Sequence, residues 1–171
     1  VEWMGQEIDF SPPFKQVDML DELEKEIKEK INDENFILPD INSETAEEEF
    51  MNLHTLLGIK PEPPYTLNRL VDNLVGEFVE PKCIQPTFLM NHPRIMSPLA
   101  KPHRLDSTKT ERFELFVNGK EICNAYTELN NPLIQKEMFD KIAKQKENGD
   151  NEIPPSDESF VRALEYGLPP T

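Results

Sequence analysis

Only two cysteines, Cys83 and Cys123, occur in 171 residues, and they stand in no metal-ligand or redox spacing. That argues against a disulfide scaffold and fits a reducing compartment, with the cytoplasm as the expected location. Basic residues are also scarce, with 18 Lys and Arg against 33 Asp and Glu for a formal net charge of -15. Such a balance gives no cationic footprint for a phosphate backbone, so any nucleic acid partner has its main grip elsewhere. No apolar run approaches the roughly 20 residues of a membrane span, and the first residues lack the pattern of a signal peptide, so no membrane partner is expected. Internal repeats are absent too. The chain does have 37% hydrophobic residues, ten of them Phe, enough for one packed domain. Half of its 16 prolines fall in pairs, at Pro12-Pro13, Pro63-Pro64, Pro154-Pro155 and Pro169-Pro170, and they punctuate elements rather than mark a disordered tract.

Along the chain, Gln6 to Phe10 alternates polar and apolar residues before Ser11-Pro12-Pro13 and reads as a short strand without an obvious partner. From Asp18 to Lys30 the spacing of Met19, Leu20, Leu23 and Ile27 predicts an amphipathic helix ended by Asn32-Asp33. Ser43 is expected to start a second helix with Glu44, Glu47, Glu48 and Glu49 near its positive end, an apolar stripe of Phe50, Leu53, Leu56 and Leu57, and Gly58 as the stop. Its acidic run is read as a solvated face, and His54 as packed or solvated rather than catalytic. Thr66 should cap a third helix reaching Glu80-Pro81. Thr87 to Met90 is a strand candidate, and the proline-bearing stretch from Asn91 to Arg104 reads as a loop. Arg112 to Leu129 is the strongest hairpin, because Asn118-Gly119 favours the positive backbone angles of a two-residue turn. Pro132 opens a helix expected to run to about Asn148, and Asp157 caps a last one reaching Tyr166 before Gly167. Helices mixed with an incomplete antiparallel sheet make the class α+β, with at least one strand edge left open.

Regular pairing about Asn118-Gly119 sets Phe116 opposite Glu121 and Glu114 opposite Cys123. Glu114 and Glu121 are then diagonal neighbours on one face, roughly 7–8 Å apart. Two such carboxylates repel unless a cation lies between them, and hard oxygens suit Mg²⁺ carried in with a nucleotide. Two separately solvated glutamates on an ordinary hairpin are the alternative. Asn124, Tyr126 and Glu128 alternate along the second strand and offer an amide, a phenol and a carboxylate, a set that suits an ammonium ligand, or else a polar face touching solvent. Strict alternation puts Glu121 and Asn124 on opposite faces. A bulge near Ile122 or Cys123 would bring them together.

Arg112-Phe113-Glu114-Leu115-Phe116, followed by the run from Glu121-Ile122-Cys123-Asn124 through Asn130, resembles the catalytic core of class II lysyl-tRNA synthetases. Phe10-Ser11-Pro12-Pro13-Phe14, Leu74 to Phe78, His92-Pro93, Met96 to Lys101 and Ala163 to Thr171 extend the likeness almost end to end, weakest between about Lys30 and Pro61. The resemblance implies that 1–171 is part of one catalytic domain, in which lysine and ATP give lysyl-adenylate before transfer to tRNA(Lys). It further implies Mg²⁺ at Glu114 and Glu121, ATP near Glu121 and the backbone of Ile122, lysine at Asn124, Tyr126 and Glu128, and a homodimeric parent enzyme. The family's ATP-binding arginine motif and its anticodon-binding domain would lie upstream, and its glycine-rich motif after Thr171, so the isolated segment is expected to be inactive. Pro102 stands where an aromatic residue is expected, and no role is assigned to Lys101 or His103. A non-catalytic paralogue serving as an interaction module is the competing reading. Aspartate or asparagine as the substrate is disfavoured, because Glu128 would repel an acidic side chain and suits an amine.

Overall fold

The computed structural model describes residues 1–147 and 157–167. In chain order its elements are β1 (Glu2–Trp3), β2 (Gln6–Glu7), β3 (Lys15–Asp18), α1 (Met19–Ile31), α2 (Ala46–Leu57) and α3 (Leu67–Phe78), then β4 (Thr87–Met90), β5 (Arg112–Val117), β6 (Lys120–Tyr126), α4 (Pro132–Glu147) and α5 (Glu158–Glu165). β1 and β2 form a separate two-stranded ribbon, which supplies the missing partner for the first predicted strand and confines that strand to Gln6–Glu7. The other strands make one four-stranded sheet in the order β3-β4-β5-β6.

Each helix follows from its apolar stripe and its ends. α1 buries Met19, Leu23 and Ile27, and Asn32 closes it in the left-handed region at φ 54°. α2 begins at Ala46 rather than at Ser43, because Ser43 belongs to a preceding turn in which its carbonyl accepts from the Ala46 amide. Gly58, at φ 71°, ends α2 as the sequence predicts. α3 starts after Thr66 and buries Leu67, Leu70, Val71, Leu74 and Val75, then gives way to a 3₁₀ turn at Glu80–Lys82. Asp157 caps α5 by accepting from the Ser159 and Phe160 amides. The predicted end of α4 near Asn148 lies outside the described residues, as do Pro154-Pro155 and Leu168 to Thr171.

The class is α+β, and the sheet is mixed. β3 and β4 pair in parallel because α1, α2 and α3 lie between them in sequence and carry the chain back to the same end; β4-β5 and β5-β6 are antiparallel. Both outer strands, β3 and β6, have a single partner among the described strands, so an open edge is present on each side. One sheet face turns Leu89 and Phe116 into a core with Leu23, Ile27, Phe50, Leu70 and Leu74 from the three helices. The opposite face carries Phe88 against Phe113 edge-on at 5.3 Å, with Phe14 stacked on Phe88 at 5.9 Å.

The β5-β6 turn is fixed at both of its central residues, Asn118 at φ 52° and Gly119 at φ 66°. Their amides donate to the Ile84 and Cys83 carbonyls at 2.9 and 3.0 Å, so the hairpin tip is bolted to the segment after the 3₁₀ turn. A Cβ on Gly119 would lie 3.6 Å from the Glu80 carbonyl oxygen and 3.6 Å from the Pro81 Cα. Gly119→Val should therefore destabilise the protein by about 1–2 kcal/mol or more in urea unfolding, from the left-handed backbone cost to a branched residue. A loss below about 0.5 kcal/mol would mean that the tip is not held as described.

Candidate functional site

The β5-β6 ladder runs Val117↔Lys120 and Phe116↔Glu121, then shifts to Leu115↔Cys123, Glu114↔Asn124, Phe113↔Ala125 and Arg112↔Tyr126. Ile122 is the extra residue, a bulge directly after Glu121 where the shared-face argument requires one. The regular register with Glu114 opposite Cys123 is thereby corrected to Glu114 opposite Asn124. Directly paired residues share a face, so Arg112, Glu114, Glu121, Asn124 and Tyr126 all lie on one side of the hairpin.

Glu114 is 8% exposed and Arg112 lies beside it on the same face. Arg112 Nη2 donates to Glu114 Oε1 at 2.6 Å, and Asn124 Nδ2 donates to the same oxygen at 3.1 Å. Arg112 Nε donates to Asn124 Oδ1 at 3.2 Å, while Nη1 reaches the Met96 carbonyl at 3.1 Å and Ser97 Oγ at 3.0 Å. His92, 1% exposed, has Nε2 3.2 Å from Glu114 Oε2, although neither ring nitrogen has a well-aligned hydrogen bond. Burial works to raise the Glu114 pKa, but the facing His92 and the Arg112 guanidinium outweigh it and hold the carboxyl below its ordinary range. Glu114 is therefore ionised at neutral pH.

Further carboxylates crowd this anion. Burial, and then the charge on Glu114, raise the pKa of Asp72 on α3. Glu80 is raised by burial and by Asp72, Glu114 and Glu121. The neighbourhood is thus short of positive charge even with Arg112 present, which favours an incoming cation. Among the described residues, no three His, Cys, Asp or Glu side chains are grouped to hold a metal alone. Glu114 and Glu121 therefore make no all-protein cage; a cation there would take its remaining oxygens from phosphates and water, as Mg²⁺ commonly does.

The sequence-predicted residues are not all equally close. Glu114 and Asn124 touch; Tyr126 lies opposite Arg112 at the far end of the face. Glu128 follows beyond β6, where it bridges Ala100 of the returning loop. Burial raises the Tyr126 pKa, and the Glu128 charge raises it further, so the phenol stays protonated beside that carboxylate. Glu121 and Ile122 are exposed at the bulge. A groove of about 630 Å³ runs past Met90, Arg104, Glu111, Phe113, Ala125 and Tyr126, and thus takes in one residue of the predicted set. His54 is packed, with Nδ1 2.8 Å from the Phe50 carbonyl oxygen and Nε2 3.1 Å from Asn73 Oδ1. Sequence reasoning assigned no role to Arg112, although its two-residue offset from Glu114 on one strand carries the signal. For His92, 22 positions before Glu114, no local signal exists.

The description tRNA synthetases class II (D, K and N) belongs to a family profile that matches residues 1–171. A probable cytoplasmic lysine–tRNA ligase of Vairimorpha ceranae is 49% identical over 165 residues, 96% of this chain and 31% of that protein. The lysine–tRNA ligase cla4 of Cladosporium cladosporioides is 47% identical over 166 residues, covering 96% of the chain and 27% of its own length. The lysine–tRNA ligase of Porphyromonas gingivalis is 41% identical over 167 residues, 98% of the chain and 27% of that protein. The chain therefore spans under a third of the length of these relatives.

Replacing Glu114 tests the electrostatics described above. Because its folded pKa lies below the ordinary 4.5, its contribution to stability is fully present above that value and is lost as pH falls through the lower folded value. Glu114→Gln should cost about 2 kcal/mol or more at neutral pH, less than the about 3–5 of a fully dry pair because the Arg112 side chain is 18% exposed. The difference between variant and wild type should shrink on acidification. Unfolding curves across pH check both; an equal difference at pH 7 and in strong acid would show that Glu114 is not held as an ion pair.

Proposed function

We propose a role for this chain as a member of the class II tRNA synthetases (D, K and N), the family to which it belongs: it is the part of a lysine–tRNA ligase catalytic domain that carries the metal-binding and lysine-binding wall of the active site. The observation that carries this reading is the bulge at Ile122, which gives Glu114, Glu121, Asn124 and Tyr126 a common face. The lysine–tRNA ligase names of relatives 41–49% identical to the chain support the same substrate.

In the proposed reaction an oxygen of the lysine carboxylate attacks the α-phosphorus of ATP, pyrophosphate leaves, and lysyl-adenylate forms. The 3′-terminal hydroxyl of tRNA(Lys) then takes the lysyl group and AMP leaves. No protein nucleophile is required; the site works by positioning and charge neutralisation. Members of this family generally use ATP with Mg²⁺, which supplies charge neutralisation on the phosphates, and Glu114 and Glu121 would hold it. The backbone of Ile122, exposed on the bulge, would lie along the nucleotide. Asn124, Tyr126 and Glu128 would seat the lysine, with the Glu128 carboxylate attracting its side-chain ammonium and the protonated Tyr126 phenol beside it. An aspartate side chain would meet repulsion from Glu128, which separates the lysine reading from the aspartate one. A homodimer and a cytoplasmic location belong to the same reading, the second supported by the name of the Vairimorpha ceranae relative.

The test uses full-length protein containing this chain, assayed by lysine-dependent ATP–pyrophosphate exchange with each substrate varied separately. Glu128→Gln keeps size and shape but removes the charge facing the ammonium, a contact whose loss commonly costs about 2–5 kcal/mol. The lysine KM should rise by more than about tenfold while the ATP KM changes little. An unchanged lysine dependence would make Glu128 an ordinary glutamate and remove the lysine pocket from this wall.

A further inference from the structure

We propose that Arg112 is a positioning residue that couples the two halves of the site, so that Mg²⁺-nucleotide bound at Glu114 raises the affinity for lysine at Asn124. The inference rests on the ligase reading above and goes beyond it, since that reading gives Arg112 no part. One guanidinium donates through Nη2 to Glu114 Oε1 and through Nε to Asn124 Oδ1. Asn124 Nδ2 closes the triangle on the same Glu114 oxygen. The Asn124 amide is thereby set in one orientation, with one N–H and one lone pair left for a ligand.

The sign of the coupling follows from how Arg112 is anchored. Its Nη1 holds the Met96 carbonyl and the Ser97 hydroxyl, which belong to the loop rather than to the hairpin. When Glu114 turns toward a cation, the guanidinium is tethered and cannot follow it. Asn124 Nδ2 loses its carboxylate acceptor and becomes free to donate to a substrate carboxylate, while Arg112 still fixes the amide oxygen. A cation at Glu114 thus prepares Asn124 for lysine, and linkage requires lysine to raise nucleotide affinity by the same factor. A lysine side chain at position 112 would keep the charge but not the planar fork that reaches carboxylate, amide and loop together.

The experiment is calorimetric titration of lysine into full-length protein, with and without Mg²⁺ and a non-hydrolysable ATP analogue. In wild type the lysine Kd should fall at least about fivefold when the analogue is present. Arg112→Lys should bring that ratio close to one, and Ser97→Ala, which loosens one anchor and removes no charge, should lower it partially. Thermal unfolding establishes that each variant is folded; if Arg112→Lys is not, the ratio in Ser97→Ala decides, and it must fall. A wild-type lysine Kd indifferent to the analogue, or a wild-type ratio in folded Arg112→Lys, overturns the inference while leaving the ligase reading intact. Failure of wild type to bind lysine at all overturns the ligase reading and the coupling with it.

Discussion

Side chains alternate across a strand, so one extra residue between Glu121 and Cys123 reverses the facing of everything after it. Without Ile122 as the bulge, Asn124 and Tyr126 would join Ala125's present side and leave Arg112 and Glu114 facing Cys123 and Ala125. The triangle of Arg112, Glu114 and Asn124 could not close, and a carboxylate 8% exposed would have one fewer donor to offset its desolvation. The bulge is itself held from both sides. The tight turn at Asn118-Gly119 fixes the register before it, and the docking of that turn on Cys83 and Ile84 prevents the tip from sliding.

The electrostatics follow from that geometry. A chain with net charge -15 is poorly suited to attract a polyphosphate, and the site gathers carboxylates from α3, the 3₁₀ turn and both strands of the hairpin. Arg112 satisfies Glu114, but Asp72 and Glu80 are still pushed toward their neutral forms by burial and by their neighbours. A divalent ion arriving with the phosphates would relieve this repulsion and the phosphate charge together. The acidic composition, which offers no cationic footprint for a phosphate backbone, thus agrees with the proposed site, in which a cation would accompany the nucleotide.

What the sequence makes legible is local. Asn32, Gly58 and Asp157 act at the helix ends where their chemistry puts them, and Asn118-Gly119 makes the turn it favours. The bulge could be expected because two candidate site residues an odd number apart had to share a face. The errors arise where a local signal competes with another or where no local signal exists. Ser43 has the chemistry of a cap but forms a turn, leaving Thr45 to precede the helix. The parallel pairing of β3 with β4 joins segments separated by three helices, and His92 meets Glu114 only after the loop folds back. Such contacts depend on packing that no spacing rule reaches.

That returning loop also fixes the backbone that carries Glu128. The Lys101 amide donates to the Thr127 carbonyl at 2.7 Å, the Thr127 amide donates to Glu111 at 2.9 Å, and the Glu111 amide donates to Lys101 at 2.9 Å. Thr127 is therefore clamped between two passes of the loop, and Glu128, bridged to Ala100, inherits a fixed backbone. The His92 carbonyl accepts from both the Thr110 amide and its hydroxyl, which ties the start of the loop to its end. Glu121 is held instead by its ladder pairing with Phe116, and its side chain, like that of Ile122, stands exposed at the bulge. An amine differing from its competitors by charge and length needs a carboxylate at a fixed depth, whereas a metal-bound phosphate chain can be met by a carboxylate that adjusts. On the proposed reading Glu128 is the carboxylate on a clamped backbone, suited to an ammonium, and Glu121 is the one whose exposed side chain can adjust to a metal-bound phosphate.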